Sequence, residues 1–496
     1  MSETNSAGAP AGAPTLETYQ VVGRILGPAV FLLMVFAGKG QEIMAPDAWR
    51  AAAVGLWMAI WWATEAIPVP VTALLPLVLF DPLGIASIRD AAAPYANPTI
   101  YLYMGGFIMA LSLERCNLHR RIALAIVERA GTDGKRLIGG FMFVCAVLSM
   151  WMTNTSTTMM LLPIVLSVAV VIRENVPDIS DKTRDDFQIA ILLGLAYAAS
   201  IGGLATIIGT PPNALLMAFL ADNYEIEISF ARWMLVGIPV TFMMLPVAWY
   251  GLTRFLYPCD IPASESVRQH LHELKEQMGP MTTPEKRVGI VFICLILSWM
   301  FRKPVTDAFG ITGISDTGIV ITAALLLFIL PSGDKADPRL MGWEDVVRLP
   351  WGVLVLFGGG LSLAAAVSDT GLALWLGEQL APLNAWGTAV LVVASVAMVI
   401  FLTELTSNLA TTATLLPVMA AIAVQAGVPP IVLTVPITIA ASCAFMLPVA
   451  TPPNAIVFST GAISIPQMVR AGVFLNIIGI IIVSIIALTI APALLQ

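Results

Sequence analysis

Thr153-Asn154-Thr155, followed by Gly209-Thr210-Pro211-Pro212-Asn213, returns later in the chain as Ser407-Asn408-Leu409, followed by Ala450-Thr451-Pro452-Pro453-Asn454. Each copy lies inside strongly apolar sequence, where hydroxyls, amides and helix-breaking prolines need a reason. Irregular backbone at membrane depth survives only where protein or a water-filled cavity satisfies its free N–H and C=O groups. Paired interruptions in matching places therefore point to one central binding site, the arrangement of a secondary transporter.

Composition agrees with a membrane setting. The 496 residues are 58% hydrophobic and 11% charged, with a mean hydropathy of +0.87, more apolar surface than a water-soluble core can hide. The chain reads as an all-α polytopic protein embedded in the lipid bilayer. Its net charge of −7 says little about partners, because the placement of Lys and Arg matters more than their sum. No basic tract points to nucleic acid. Cys116, Cys145, Cys259, Cys294 and Cys443 are scattered and odd in number, which fits core residues rather than a disulfide framework or a metal cluster. Residues 1–20 lack a basic and an apolar signal region and read as a disordered tail.

A hydrocarbon core of ~30 Å takes roughly 20 helical residues. That ruler predicts eleven crossings, near 21–38, 49–67, 69–84, 98–117, 186–222, 231–256, 288–302, 316–331, 350–367, 428–460 and 470–495. Two more apolar stretches, 137–172 and 388–426, read as re-entrant helical hairpins with Thr153-Asn154-Thr155 and Ser407-Asn408 at their tips. Asn, Ser and Thr suit both a turn and a helix N-cap there; the plainer alternative is one continuous helix through each stretch. The spans 186–222 and 428–460 exceed a simple crossing and contain Pro-Pro-Asn, so each is expected as two half-helices around an unwound segment.

Gly105-Gly106 precedes the first hairpin much as Gly358-Gly359 precedes the second. From about residue 50 onward each half holds an odd number of crossings plus a hairpin, which makes the repeat at roughly 288–495 an inverted copy of roughly 50–256. The first half is 21–256, the second 288–496, and the polar segment 257–287 forms a cytoplasmic linker. Charge placement orients the repeat: His119 to Arg136 carries Arg120, Arg121, Arg129, Lys135 and Arg136, whereas Ser368 to Trp386 carries no Lys or Arg. The cytoplasmic excess of positive charge puts the first stretch and the N-terminus inside, and the C-terminus outside. Lys335, Arg339 and Arg348 fall on the inner side, and Lys39, Arg50, Arg89, Arg232, Arg302 and Lys303 near the outer.

Hydroxyl and amide oxygens with unwound carbonyls are hard ligands for alkali cations, and the matching N–H and O–H groups suit carboxylate or sulfate oxygens. No Lys or Arg lies near the motifs, so an entering dianion needs another source of positive charge. Co-bound cations supply it, which predicts cation-coupled uptake of an anion.

At this point the resemblance is specific. The run from Ala441 to Val457, Ala-Ser-Cys-Ala-Phe-Met-Leu-Pro-Val-Ala-Thr-Pro-Pro-Asn-Ala-Ile-Val, is similar over its full length to the signature of the divalent anion/sodium symporter family of dicarboxylate, citrate and sulfate transporters. Thr64-Glu65-Ala66-Ile67-Pro68 resembles another recurring family segment. The resemblance implies an elevator-type homodimer and two Na+ sites. The first would use Ser149, Thr153, Asn154 and backbone at Gly209; the second, Thr403, Thr406, Asn408 and backbone at Ala450. Substrate carboxylates would meet Thr153, Asn154, Thr155, Ser407, Asn408, Thr451 and Pro452, with Asn213 and Asn454 bracing the loops. Family hairpin tips commonly read Ser-Asn-Thr. Thr153 keeps the hydroxyl, whereas Leu409 removes one, which narrows the second pocket or shifts substrate choice.

The expected function is sodium-coupled import of C4 dicarboxylates such as succinate, malate and fumarate, across a bacterial inner membrane. The alternatives are a sodium-independent dicarboxylate or citrate antiporter, and a sodium-coupled sulfate or tricarboxylate carrier. An enzyme is disfavoured by the lack of an HExxH pair, a nucleophile elbow or an acid/base cluster, and a channel by two breaks that build an occludable site. Glu404, beside the second set of cation ligands, has either an electrostatic role there or a buried hydrogen-bond partner. Glu65 and the Trp57 to Trp62 run read as structural, and His119, His270 and His272 as solvated surface.

Overall fold

The computed structural model describes residues 17–38, 42–176, 179–333, 337–380, 382 and 387–495. The expected tail up to residue 16, Lys39, Lys335 and Trp386 lie outside the described residues. Those described fold as helices, with one isolated bridge between Pro331 and Arg339. Eight helices among them are long and apolar enough to cross a membrane. Residues 69–84, read from sequence as one crossing, instead form two short helices, Val69–Thr72 and Leu75–Leu79. Pro70 and Pro76 each fall in the first turn of one of these helices, where a missing backbone donor is tolerated, so Pro76 favours a restart over an uninterrupted helix.

The N-terminal helix Thr18–Ala37 lies on Pro46–Thr64. Gly23 and Gly27 let them approach: Trp61 Nε1 reaches the Gly23 carbonyl at 3.0 Å, and Phe31 meets Trp57 with ring centroids 5.0 Å apart. The tryptophan run is therefore packing surface. Lipid tails are as apolar as Leu, so close contact between small residues, rather than hydrophobic transfer, holds such helices together.

Two pairs of helices meet at polar turns. Gly134–Ser149 and Asn154–Asn175 pack together around the turn at Thr153, and Thr388–Thr403 and Asn408–Gln425 around the turn at Ser407. Two further helices stop and restart: Asp181–Gly203 resumes as Pro211–Tyr224, and Ile431–Ala441 as Pro452–Phe458. Proline at the first position of each restarted half suits a helix N-terminus, whose first N–H has no partner anyway. The halves interlock, since Pro452–Phe458 packs on the arm Asn154–Asn175, and Pro211–Tyr224 on the arm Asn408–Gln425.

The helices that follow each break cradle the unwound backbone. A Cβ added to Gly237, in Phe230–Tyr250, would sit 2.4 Å from the Leu204 carbonyl oxygen. On Gly472, in Ile465–Leu495, it would sit 2.4 Å from the Phe445 carbonyl oxygen. Only glycine permits that approach in either copy.

Outside the bundle, the amphipathic helix Leu118–Ala130 is tied to the linker helix Glu265–Glu276. Glu128 accepts from Lys275 Nζ at 2.6 Å and lies 3.0 Å from His272 Nδ1, and His272 Nε2 lies 3.2 Å from Glu276. His270 Nε2 is 3.0 Å from Ser167 Oγ on the hairpin arm. His119 departs from expectation: it is buried, with Nδ1 2.7 Å from the Leu113 carbonyl. The left-handed Asn117 between the two helices (φ 59°) turns the chain sharply and folds the ring back onto the preceding helix end.

The Lys275 and then the His272 hydrogen bonds hold Glu128 below the ordinary carboxylate range, and the Glu128 bond followed by the Glu276 charge raises His272 above 6.5. The raised imidazole stabilises this contact below its unfolded value and stops doing so as pH rises through the folded one. Glu128 does the reverse as the solution is acidified. Hydrogen-exchange protection of Glu265–Glu276, corrected for intrinsic rate, should fall modestly between about pH 6 and about pH 8.5. A His272→Gln protein should show the weaker protection throughout. Equal protection of the native helix at both pH values would contradict this.

Candidate functional site

Asn154 opens its helix immediately after Thr153, whose hydroxyl caps the Ser156 N–H at 3.1 Å. The Asn154 side chain thereby points at the first break. One atom of its terminal amide lies 2.6 Å from Ser149 Oγ, 3.0 Å from the Ala199 carbonyl and 3.3 Å from the Gly209 carbonyl. Two arrangements satisfy this geometry. With the amide turned, Nδ2 donates to both carbonyls; with Oδ1 in place, oxygens alone converge and a cation must hold them.

The second half holds a comparable cluster. Thr403 Oγ1 lies 2.9 Å from Asn408 Oδ1 and 2.8 Å from the Ala441 carbonyl. One hydroxyl proton cannot serve both acceptors fully, so this cluster also has more oxygens than donors. Neither cluster carries formal negative charge, and among the described residues no group of three His, Cys, Asp or Glu is placed to hold a metal.

The breaks themselves are braced. Asn213 Nδ2 donates to the Thr206 carbonyl at 2.8 Å, and Asn454 Nδ2 to the Leu447 and Ala444 carbonyls at 3.0 and 3.2 Å. Thr451 caps the Asn454 N–H at 3.3 Å. Thr210 Oγ1 and Ser442 Oγ, one from each break, lie 3.4 Å apart in the buried centre. The two interruptions therefore meet in one place.

The loops differ in how their N–H groups are satisfied. In the first, Leu204 and Ala205 bond to carbonyls of their own helix, the Thr206 hydroxyl reaches the Met150 carbonyl, and that same hydroxyl accepts from Gly209. In the second, Glu404 does the work. Its carboxylate accepts from Phe445 at 2.7 Å, Met446 at 3.0 Å and Leu447 at 3.2 Å, and from Asn476 Nδ2 at 2.8 Å. Successive N–H groups of this kind form a concave anion site, and here the protein's own carboxylate fills it. Every one of these partners donates, so Glu404 is a buried acceptor for the loop.

Other residues named from sequence lie as follows. Thr155 is half-buried at the first tip, and Ser407 does not cap its helix. Thr406 turns to Thr411, with Oγ atoms 2.6 Å apart. The Ala450 N–H bonds to Leu447, and no hydrogen bond joins Ala450 to Asn408 among the described residues. Pro452 is exposed, and Leu409 is buried in the packed core. Sequence reading missed the Ala199 and Ala441 carbonyls, the Thr210 to Ser442 contact and Asn476. Main-chain carbonyls leave no mark in a sequence, but an asparagine inside the apolar run 470–495 was a readable signal.

Paired helix breaks that meet at a polar centre inside a membrane bundle define the class of secondary membrane transporters. The chain belongs to the family described as the sodium:sulfate symporter transmembrane region, whose model matches residues 19–495. It is 38% identical over 479 residues to the sodium-dependent dicarboxylate transporter SdcS of Staphylococcus saprophyticus, covering 96% of this chain and 92% of the relative. It is 39% identical over 489 residues, with the same coverage, to SdcS of Staphylococcus aureus. Two solved structures share the fold at 14% identity. The Alcanivorax borkumensis YdaH transporter superposes with a TM-score of 0.60 over 89% of this chain and 99% of its own. Neisseria gonorrhoeae MtrF does so with 0.58 over 95% of each.

Proposed function

We propose that this protein is a sodium-coupled symporter that imports C4 dicarboxylates such as succinate, malate and fumarate into the cytoplasm. It works as an elevator-type homodimer in the plasma membrane, and it is a transporter rather than an enzyme. The observation that carries the reading is the pair of oxygen-rich clusters, at Ser149 with Asn154 and at Thr403 with Asn408, each facing a main-chain carbonyl beside a helix break. Relatives named as sodium-dependent dicarboxylate transporters over nearly the whole chain support it.

In this reading the first Na+ site is Ser149, Asn154 and the carbonyls of Gly209 and Ala199, with Thr153 shaping the turn. The second is Thr403, Asn408 and the Ala441 carbonyl, joined by Thr406 and Ala450 when the loop tightens on the ion. Bound sodium supplies the positive charge that the site's own residues lack, so the dianion enters after it. The carboxylates then meet Thr153, Asn154, Thr155, Ser407, Asn408, Thr451 and Pro452. The same reading makes roughly 50–256 and 288–495 inverted repeats, with eleven crossings in all, two re-entrant hairpins, the N-terminus inside and the C-terminus outside.

Radiolabelled succinate uptake into proteoliposomes tests the coupling. An inward sodium gradient should drive accumulation in empty vesicles, and potassium should not replace it. Uptake that ignores sodium and appears only in succinate-loaded vesicles would mean exchange. Sulfate that competes better than malate or fumarate would move the substrate toward that of the family's description.

A further inference from the structure

Gly203 ends the helix Asp181–Gly203 and is buried against the Asn154 amide. A Cβ added there would sit 2.7 Å from one atom of that amide, 3.2 Å from the other and 3.0 Å from the Gly209 carbonyl oxygen. Both ends of the amide therefore lie against the bare Cα, in space that any side chain would take. Gly203 is not among the glycines with positive φ. The backbone there suits an L residue, so space alone calls for glycine. This close approach lets the amide stand within 3.3 Å of two main-chain carbonyls at once, those of Ala199 and Gly209.

The second half lacks this opening. Asn213 Nδ2 donates to the Gly203 carbonyl at 3.3 Å, and Asn454 Nδ2 to the Ala444 carbonyl at 3.2 Å, ten residues back in each case. Ala444 is thus the counterpart of Gly203, fully buried and carrying the methyl group that Gly203 lacks. Among the described residues the Asn408 side chain bonds only to Thr403 Oγ1, at 2.9 Å, and it is the Thr403 hydroxyl that reaches the Ala441 carbonyl, at 2.8 Å. One cluster sets an amide directly on main-chain carbonyls; the other interposes a hydroxyl.

We propose that Gly203 is a positioning residue that makes the first sodium site the tighter of the two, and that Ala444 keeps the second looser. The proposal rests on the sodium-coupled reading above. Hard cations bind oxygen ligands, and their affinity follows the number of those ligands and the rigidity of the site. The first cluster gathers Ser149, Asn154 and two carbonyls, whereas the second gathers Thr403, Asn408 and one carbonyl. Groups already packed into place also lose less freedom when they close on an ion. Sodium therefore fills the first site at concentrations that leave the second empty. Alanine at 203 would push aside the Asn154 amide, the far end of a flexible side chain, with little demand on the fold.

Equilibrium binding of radiolabelled sodium to the purified full chain, without succinate and with potassium holding ionic strength constant, tests this. The native isotherm should show two phases at least tenfold apart in affinity. Gly203→Ala should weaken the tighter phase at least tenfold and leave the weaker within twofold, with the native unfolding temperature in potassium. Ala444→Gly should leave the tighter phase as it is. A native isotherm in which both sites are equal overturns the proposal while sodium coupling stands, whether or not the variants fold. Native binding in a folded Gly203→Ala protein overturns it as well. So does loss of the weaker phase, or of both together, in that variant, because Gly203 would then serve the whole site rather than the first cluster. A native protein that binds no sodium at all sinks the sodium-coupled reading and takes the proposal with it.

Discussion

Asn408→Ala, and equally Asn154→Ala, should lower sodium-driven succinate uptake at least a hundredfold while leaving the purified protein folded. Each amide stands at the heart of its cluster, Asn408 Oδ1 2.9 Å from Thr403 Oγ1 in one half and the Asn154 amide 2.6 Å from Ser149 Oγ in the other. Losing one such partner costs about 1–3 kcal/mol, and the proposed cycle needs both sites filled, so the effects on turnover compound. Stability should change little because both asparagines are only half-buried at a helix start, and Thr153 still caps the first helix. Uptake at varied sodium concentration, with thermal unfolding as the control, checks the pair. Uptake at the native rate in either variant removes that residue from the site.

Glu404→Ala should be the more damaging change to the fold. It strips the shared acceptor from the N–H groups of Phe445, Met446 and Leu447 and from the Asn476 amide. Each buried donor left unpaired costs about 1–3 kcal/mol, and four of them exceed what a marginally stable protein can absorb without local melting. The unwound segment before Pro452 should lose its shape, uptake should disappear, and the unfolding temperature should fall by many degrees. Glu404→Gln is not conservative here, because its NH₂ would face donors that need an acceptor. It should retain part of the stability and little of the transport. Native stability and native uptake in Glu404→Ala would show that the loop holds itself.

The division of labour between the halves explains why parts of this molecule were legible from sequence and parts were not. The breaks at Pro211 and Pro452 could be read because a proline pair followed by asparagine in an over-long apolar span disfavours a continuing helix, whereas single prolines such as Pro163 and Pro417 stay inside theirs. The tips at Asn154 and Asn408 could be read because amides are costly in apolar surroundings. Leu409 misled, because a missing hydroxyl in sequence says nothing of where the side chain turns, and it turns into the core. His119 misled for the opposite reason: its neighbours are charged, yet the left-handed turn at Asn117 buries it. The role of Glu404 was open because periodicity places a carboxylate near a site without revealing which N–H groups lie against it. The correspondence of Gly237 with Gly472, each admitting an unwound loop, became visible only once the loops had positions.

The central claim is that sodium bound by neutral oxygens creates the charge that holds the dianion. Equilibrium binding of labelled succinate to the purified protein, in sodium and in potassium at equal ionic strength, tests it most directly. Succinate affinity should rise steeply and cooperatively with sodium and be undetectable in potassium, and by linkage succinate should tighten sodium binding by the same factor. Equal succinate affinity in the two salts would contradict the account.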